Sequence, residues 1–350
     1  MSWAIIAHDM GDYPYLPRLA VDLLRRAADA SPVVILMGAR QTGKSTLVRS
    51  EPLFTDYRYL TLDDLDIQER AAQAPGDLLA AAPRVIIDEV QRDPALILAI
   101  KRAVDQQHPR TPGRFVLTGS ANLLLMQRVS ETLAGRATYV TLWPLTRRER
   151  LGLGCAGIWD DLFEHEVRDW FDLITSNAAP VANWREEVVA GGYPVPSTMM
   201  PDAATRTIWF DGYVRTYLER DLQTLASIDN LLDFRRLMKA VSLRVGSLLN
   251  QAEIARDIGI PRSTVQRYLN LLETSFQTLR LEPYSVNRTR RLIKSPKIFW
   301  TDTGLAFHLS GGLEPGGAHL ENLVLTDLLA WRDAQIPRPE VHNWLPTTTA

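Results

Sequence analysis

The sequence predicts an α/β fold: a P-loop-type parallel sheet covered by helices over residues 1–145, followed by mainly helical modules. Three observations carry that expectation. Short apolar runs alternate with helix-spaced stretches through the first 150 residues, a Gly-rich loop (Gly38–Thr46) follows the first run, and another run ends in Asp88-Glu89. Alternation of this kind builds parallel sheets, which bind ligands at the carboxyl edge of their strands.

Val33–Met37 is continuously apolar and reads as a buried strand. Tyr57–Leu60, Val85–Ile87, Phe115–Thr118 and Thr138–Leu142 repeat the pattern. A stretch rich in Trp, Gly and Pro runs from Trp143 to Pro194, with helical pieces near Asp161–Ile174. Helical spacing resumes over Ala203–Leu249, and a helix–turn–helix pattern occupies Asn250–Thr274. Asn250 is placed to cap the first of these helices, Gly259 to end it, and Ser263 to cap the second. A basic segment (Arg280–Lys297), a strand-like Ile298–Trp300, a Gly-rich turn (Gly311–Gly317) and a helix over Leu320–Trp331 complete the chain.

The 350 residues exceed one ordinary core, and 46 % apolar with 23 % charged residues is globular composition. Thirty-nine Lys+Arg against 41 Asp+Glu leave a net charge of -2, so no global field draws the chain to nucleic acid or lipid. Any polyanion contact must be local. A single cysteine, Cys155, excludes an internal disulfide and a Cys-based zinc site. The start lacks a signal-peptide pattern, and the apolar runs fall far below the ~20 residues that span a bilayer. The expectation is a cytoplasmic chain without a membrane partner.

Gly38-Ala39-Arg40-Gln41-Thr42-Gly43-Lys44-Ser45-Thr46 matches G-x-x-x-x-G-K-[ST] between a strand and a helix. Glycines let loop amides wrap phosphates; Lys44 would bridge the β- and γ-phosphates, and Ser45 would ligate Mg2+. Asp88 would hold the same Mg2+ through water, and Glu89 would polarise an attacking water. Thr118 or Ser120, at the exit of another strand, is placed to contact the γ-phosphate. Arg136 is a candidate arginine finger, in cis or from a neighbouring subunit of a homo-oligomer. The chain has only five lysines, none in the Asn/Thr-Lys-x-Asp segment that reads guanine, which favours adenine and hence ATP. The carboxylate pair suits hydrolysis better than transfer to an acceptor, with a P-loop kinase as a further reading.

Taken with Tyr15-Leu-Pro-Arg18, Leu62-Asp63-Asp64, Asp88-Glu89-Val90-Gln91, Leu117–Ser120, Leu133–Arg136, Gly191–Pro194, Tyr213–Tyr217 with Asp221, and Lys294–Asp302, the chain resembles the bacterial and archaeal AAA-type ATPases that carry a C-terminal domain of unknown function. The resemblance implies ATP binding and hydrolysis, a winged helix at 246–312 and a restriction-endonuclease-like region from 313; the stretch between, 146–245, reads as a helical connector. Glu321 matches that region's helix glutamate, while the family's following carboxylates would fall after Ala350, leaving the region incomplete and its nuclease chemistry unsupported.

If the winged helix reads DNA, the start of its second helix (Arg262, Ser263, Thr264, Gln266, Arg267) would enter the major groove. Arg288, Arg290, Arg291, Lys294 and Lys297 would then hold phosphates from the wing. The competing expectation is a packing or nucleotide-sensing module. The main functional expectation is thus an Mg2+-dependent ATPase that controls its C-terminal module; the alternative is a nucleotide-gated DNA-binding switch with little turnover.

Overall fold

A computed structural model describes residues 15–119, 132–176, 183–216, 228, 230–284 and 295–344. The N-terminal part runs α1 (Val21–Ala30), β1 (Val33–Met37), α2 (Lys44–Ser50), β2 (Arg58–Thr61), α3 (Leu65–Gln73), α4 (Pro75–Ala80), β3 (Val85–Asp88), α5 (Pro94–Asp105), β4 (Phe115–Thr118) and β5 (Ala137–Thr141). The strands form a parallel sheet of order β2-β3-β4-β1-β5. Val33 pairs with both Phe115 and Ala137, so β1 lies at the centre of its half of the sheet.

Continuous apolar strands form because both faces of the sheet are covered. Val33, Ile35, Ile87 and Leu117 face one core, closed by Leu96, Ile97 and Ile100 of α5. Val34, Leu36, Ile86 and Val116 face the other, closed by Leu24 of α1 and Leu47 of α2. Strand β4 separates the loop strand β1 from the acidic strand β3, which spreads the two motifs along one sheet edge.

Beyond the sheet come α6 (Arg147–Arg150), α7 (Ile158–Glu164), α8 (Trp170–Ser176), α9 (Trp184–Ala190), α10 (Pro194–Thr198), α11 (Ala203–Tyr213), α12 (Leu231–Ser242), α13 (Gln251–Ile258), α14 (Arg262–Thr274), β6 (Thr278–Leu281), β7 (Lys297–Trp300), α15 (Thr303–Ser310) and α16 (Gly317–Ala334). Strands β6 and β7 pair antiparallel, with Thr278 opposite Trp300. The helix–turn–helix forms as its caps require: Asn250 accepts from the Glu253 amide at 3.2 Å, and Gly259 is left-handed with φ 71°.

Three details differ from the sequence reading. Helix α14 begins at Arg262 with Pro261 as its N-cap, so Ser263 lies within the first turn and caps nothing. Pro261 fixes φ at -60° there, and no side chain caps that end. Helix α12 belongs with α13 and α14, with Phe234 packed edge-on to Tyr268 at 5.3 Å, so this bundle starts before residue 246. Finally, among the described residues α16 contributes Leu325 and Leu329 to the core that holds Tyr193, Phe210, Leu237 and Trp300, so one core draws on each of the stretches 146–245, 246–312 and 313–350. Helical spacing marks which face is buried; it does not mark which helix covers it. Ser120, most of the helix expected at Leu123–Leu133, Asp221, and Arg288, Arg290, Arg291 and Lys294 lie outside the described residues.

Candidate functional site

The loop between β1 and α2 takes its shape from positive φ angles: Gly38 at 150°, Gln41 at 64° and Gly43 at 91°. Successive residues in such conformations turn backbone amides inward to form an anion-binding concavity. Gly38 is required by contact as well as by angle, because a Cβ there would collide with the Leu142 carbonyl oxygen. Thr42 is fully buried and its hydroxyl donates to the Ala39 carbonyl at 3.0 Å, closing the loop on itself.

Lys44 is 6 % exposed, and its Nζ donates to the carbonyls of Ala39 (2.7 Å) and Gly38 (3.1 Å). Burial pushes its pKa down to about 8, opposed by the negative charges of Glu89 and Asp88. An ammonium held beside two carboxylates at the mouth of an amide-lined loop fits a polyphosphate with a divalent cation. Ser45 stands at the start of α2, beside this lysine.

The end of β3 supplies the carboxylates. Asp88 is 4 % exposed and accepts three hydrogen bonds: from Tyr59 Oη at 2.5 Å, from the Glu89 amide at 3.0 Å, and from Thr118 Oγ1. Two strands flanking β3 therefore fix it, and a carboxylate so engaged fits a cation through water better than directly. Burial and the Tyr59 hydrogen bond to Asp88 push the Tyr59 phenol up. Glu89 leaves the strand in a left-handed conformation, φ 56°, and its carboxylate accepts from Gln91 Nε2. Burial, followed by the charge of Asp88, raises the Glu89 carboxyl above the ordinary range. A partly desolvated carboxylate of this kind is suited to take a proton from water near neutral pH.

Lys44, Asp88, Glu89 and Thr118 are thus gathered at the carboxyl edge of the sheet. Arg136 is elsewhere. It precedes β5 at the opposite edge, about 16 Å away along a five-residue strand. There it donates to Asp105 through Nε (2.7 Å) and Nη2 (2.8 Å). In this structure its guanidinium is thus engaged by Asp105, at the sheet edge away from Gly38–Thr46.

Sequence reasoning assigned no role to several residues that hold the loop. Arg18 is buried and donates to the Thr42 carbonyl at 2.9 Å and the Trp143 carbonyl at 2.6 Å while paired to Glu149 at 3.2 Å. From the distal core, Tyr213 Oη donates to the Arg40 carbonyl at 3.4 Å and lies 2.9 Å from Tyr193 Oη. Ala39 packs into that same core. The motifs around Arg18, Gly191–Pro194 and Tyr213 were visible as sequence patterns; their common destination was not.

Residues 30–151 match the family model of the AAA domain. The chain carries an AAA-type P-loop ATPase domain. C-terminal to this AAA domain, residues 181–315 match a domain of unknown function, DUF8612. Uncharacterized proteins of Mycobacterium bovis and Mycobacterium tuberculosis are each 33 % identical over 325 residues, covering 89 % of this chain and 66 % of theirs. The chain therefore spans just under two thirds of the length of those relatives. An uncharacterized protein of Haemophilus influenzae is 23 % identical over 324 residues, covering 86 % of this chain and 75 % of that one. Among solved structures, a Walker-type ATPase of Pyrococcus abyssi is similar at 15 % identity and TM-score 0.49, covering 82 % of this chain and 93 % of its own. No helix among the described residues is long and apolar enough to cross a membrane.

Proposed function

We propose that the AAA domain binds ATP with Mg2+ and hydrolyses it to ADP and phosphate, and that its nucleotide state governs the C-terminal module. The observation that carries this reading is the meeting of Lys44, Asp88 and Glu89 at one buried sheet edge, where Lys44 feels both carboxylates. Gly38–Thr46 would wrap the phosphates, with Lys44 on the β- and γ-positions and Thr118 beside them. Mg2+, held by Ser45 and through water by Asp88, would neutralise phosphate charge. Glu89 would accept the proton of the attacking water, and Ser120 remains a candidate for the γ-phosphate.

Lys44→Ala should lose nucleotide affinity at least tenfold, whereas Glu89→Gln should keep affinity and lose turnover by about 10²-fold or more. Equal ATP affinity in Lys44→Ala would overturn the site, and unchanged turnover in Glu89→Gln would overturn the assigned base. If Arg136 serves a neighbouring subunit, mixing Arg136→Ala with Lys44→Ala protein should restore part of the activity that each lacks.

Coupling to the distal core rests on the Tyr213 hydrogen bond to the Arg40 carbonyl and on Ala39 packing beside it. We read α12–α14 with β6 and β7 as a winged helix, from their order and the antiparallel pairing. A second reading, DNA binding, is favoured by one observation: Arg262, Ser263, Gln266 and Arg267 form an exposed edge on α14, with Arg267 stacked on Tyr268 at 5.1 Å. Duplex affinity should then fall by about 10²-fold or more between 50 and 200 mM salt, and drop further in Arg262→Ala/Arg267→Ala. No binding at low salt would remove this reading.

A further inference from the structure

Between the AAA domain and α9 stands a hairpin whose packing does not match its composition. Helices α7 and α8 and the 3₁₀ turn Val167–Asp169 between them contain no buried residue. Yet the stretch from Ile158 to Ser176 carries four aromatic side chains and five aliphatic ones. Phe163 is 64 % exposed, Val167 71 %, Phe171 78 % and Ile174 52 %. Contiguous apolar exposure on this scale marks an interaction site.

The hairpin is anchored at one side. Asp160 accepts from Trp331 Nε1 (2.6 Å) and Gln335 Nε2 (2.9 Å) of the α16 end, and Phe163 packs edge-on to Trp331 at 5.3 Å. Val167, Phe171 and Ile174 project from the remaining surface. Seven-residue helices have little intrinsic stability, so a face of this kind gains most from a partner that covers it.

Charge decides which partner. The hairpin holds Asp160, Asp161, Glu164, Glu166, Asp169 and Asp172 against a single Arg168, a formal net of -5 with His165 neutral. Arg168 is already paired with Glu166 at 3.2 Å and Asp169 at 3.7 Å. Nucleic acid and anionic lipid would be repelled. A second copy joined through this same face would set the acidic rims against each other, since a two-fold contact presents the same patch from both sides. We propose that the hairpin is a docking surface for a basic amphipathic helix of a partner protein, with apolar side chains covering Val167, Phe171 and Ile174 and Lys or Arg facing the acidic rim.

The probe is an 18-residue synthetic peptide with Leu at helical i, i+3, i+4, i+7 spacing and Lys elsewhere, alongside its Glu-for-Lys counterpart. Each is titrated into the full chain by calorimetry, with ATP affinity recorded in parallel so that failure of the nucleotide site is seen separately. The Lys peptide should bind with stoichiometry near one, weaken at least fivefold from 50 to 300 mM salt, and weaken at least tenfold in Val167→Ser/Phe171→Ser. Both positions are solvent-facing, so this variant should retain wild-type thermal stability. A Glu166→Lys/Asp172→Lys chain, whose hairpin falls from a formal net of -5 to -1, should bind the Lys peptide at least tenfold more weakly and with little salt dependence. The proposal is overturned if both peptides bind wild type equally, if the double variant binds unchanged, if phosphatidylcholine–phosphatidylglycerol vesicles bind through Phe171, or if Phe171 mediates a self-association seen by sedimentation.

Discussion

At the scale of single residues, Lys44 carries a measurable pH signature. Burial holds its pKa at about 8, while an unfolded lysine titrates near 10.4. A triphosphate placed beside it favours the charged form and raises that value. At about pH 8.5 to 9 the free protein is therefore largely deprotonated at Lys44, and binding of ATP should take up close to one proton. Affinity should correspondingly fall as pH rises above 8. Calorimetry in buffers of different ionisation enthalpy measures the uptake, which Lys44→Met should abolish. Tyr59 is a positioning residue on the same edge, donating to Asp88 at 2.5 Å. Tyr59→Phe removes one of three donors to that carboxylate and should raise the Mg2+ concentration for half-maximal ATP binding about three- to tenfold, leaving Mg2+-independent nucleotide binding little changed. Glu89 titrates in the opposite sense to Lys44: its carboxyl is raised by burial, so turnover should decline with falling pH earlier than an ordinary glutamate would impose.

At the scale of elements, the loop and its neighbouring strand constrain each other. Gly38 packs against the Leu142 carbonyl, and the Leu142 amide in turn donates to Met37 at 2.7 Å. Neither backbone can retreat without breaking the β1–β5 ladder. Gly38→Ala should therefore weaken nucleotide binding more than tenfold and lower the melting temperature, while Gly76→Ala in α4, where an added methyl meets nothing within 4 Å, should stabilise by about 0.5 kcal/mol. Thermal denaturation with and without ATP distinguishes the two. Elements of this kind were legible in the sequence because buried parallel strands are written as unbroken apolar runs: Val33–Met37 and Phe115–Thr118 stand at the expected bounds, and the others shift by a residue or so. The carboxylates of β3 and the lysine of the loop followed directly, since each is attached to a strand end. Arg18 and Tyr213 could not be placed that way. Tyr213 is 173 residues from Arg40, and no local periodicity encodes a contact of that separation.

At the scale of the molecule, the sheet and the helical core are joined by a polar seam. Trp143, just after β5, donates to Asp333 at 3.0 Å, and the Arg147 amide donates to Asp327 at 3.3 and 3.4 Å. Both acceptors lie on α16, so the last helix reaches back across the chain to the exit of the sheet. Asp327 is partly buried there, and desolvation pushes its pKa up to about 6 against the Arg147 hydrogen bond and the nearby charges of Arg150 and Arg147. The folded value thus exceeds the unfolded one, near 3.9. Between those values the folded chain binds more protons than the unfolded chain, so the contribution of this group is fully present below about pH 4 and is lost as pH rises through 6. Its carboxylate form costs at most about 3 kcal/mol at neutral pH. Asp327→Asn keeps an acceptor for the Arg147 amide and removes the charge. The variant should equal wild type in stability near pH 3.5 and exceed it by about 1–3 kcal/mol near pH 7.5, read as diverging denaturation midpoints across that range. Parallel pH profiles for the two proteins would show that the Asp327 charge carries none of the pH dependence of this seam.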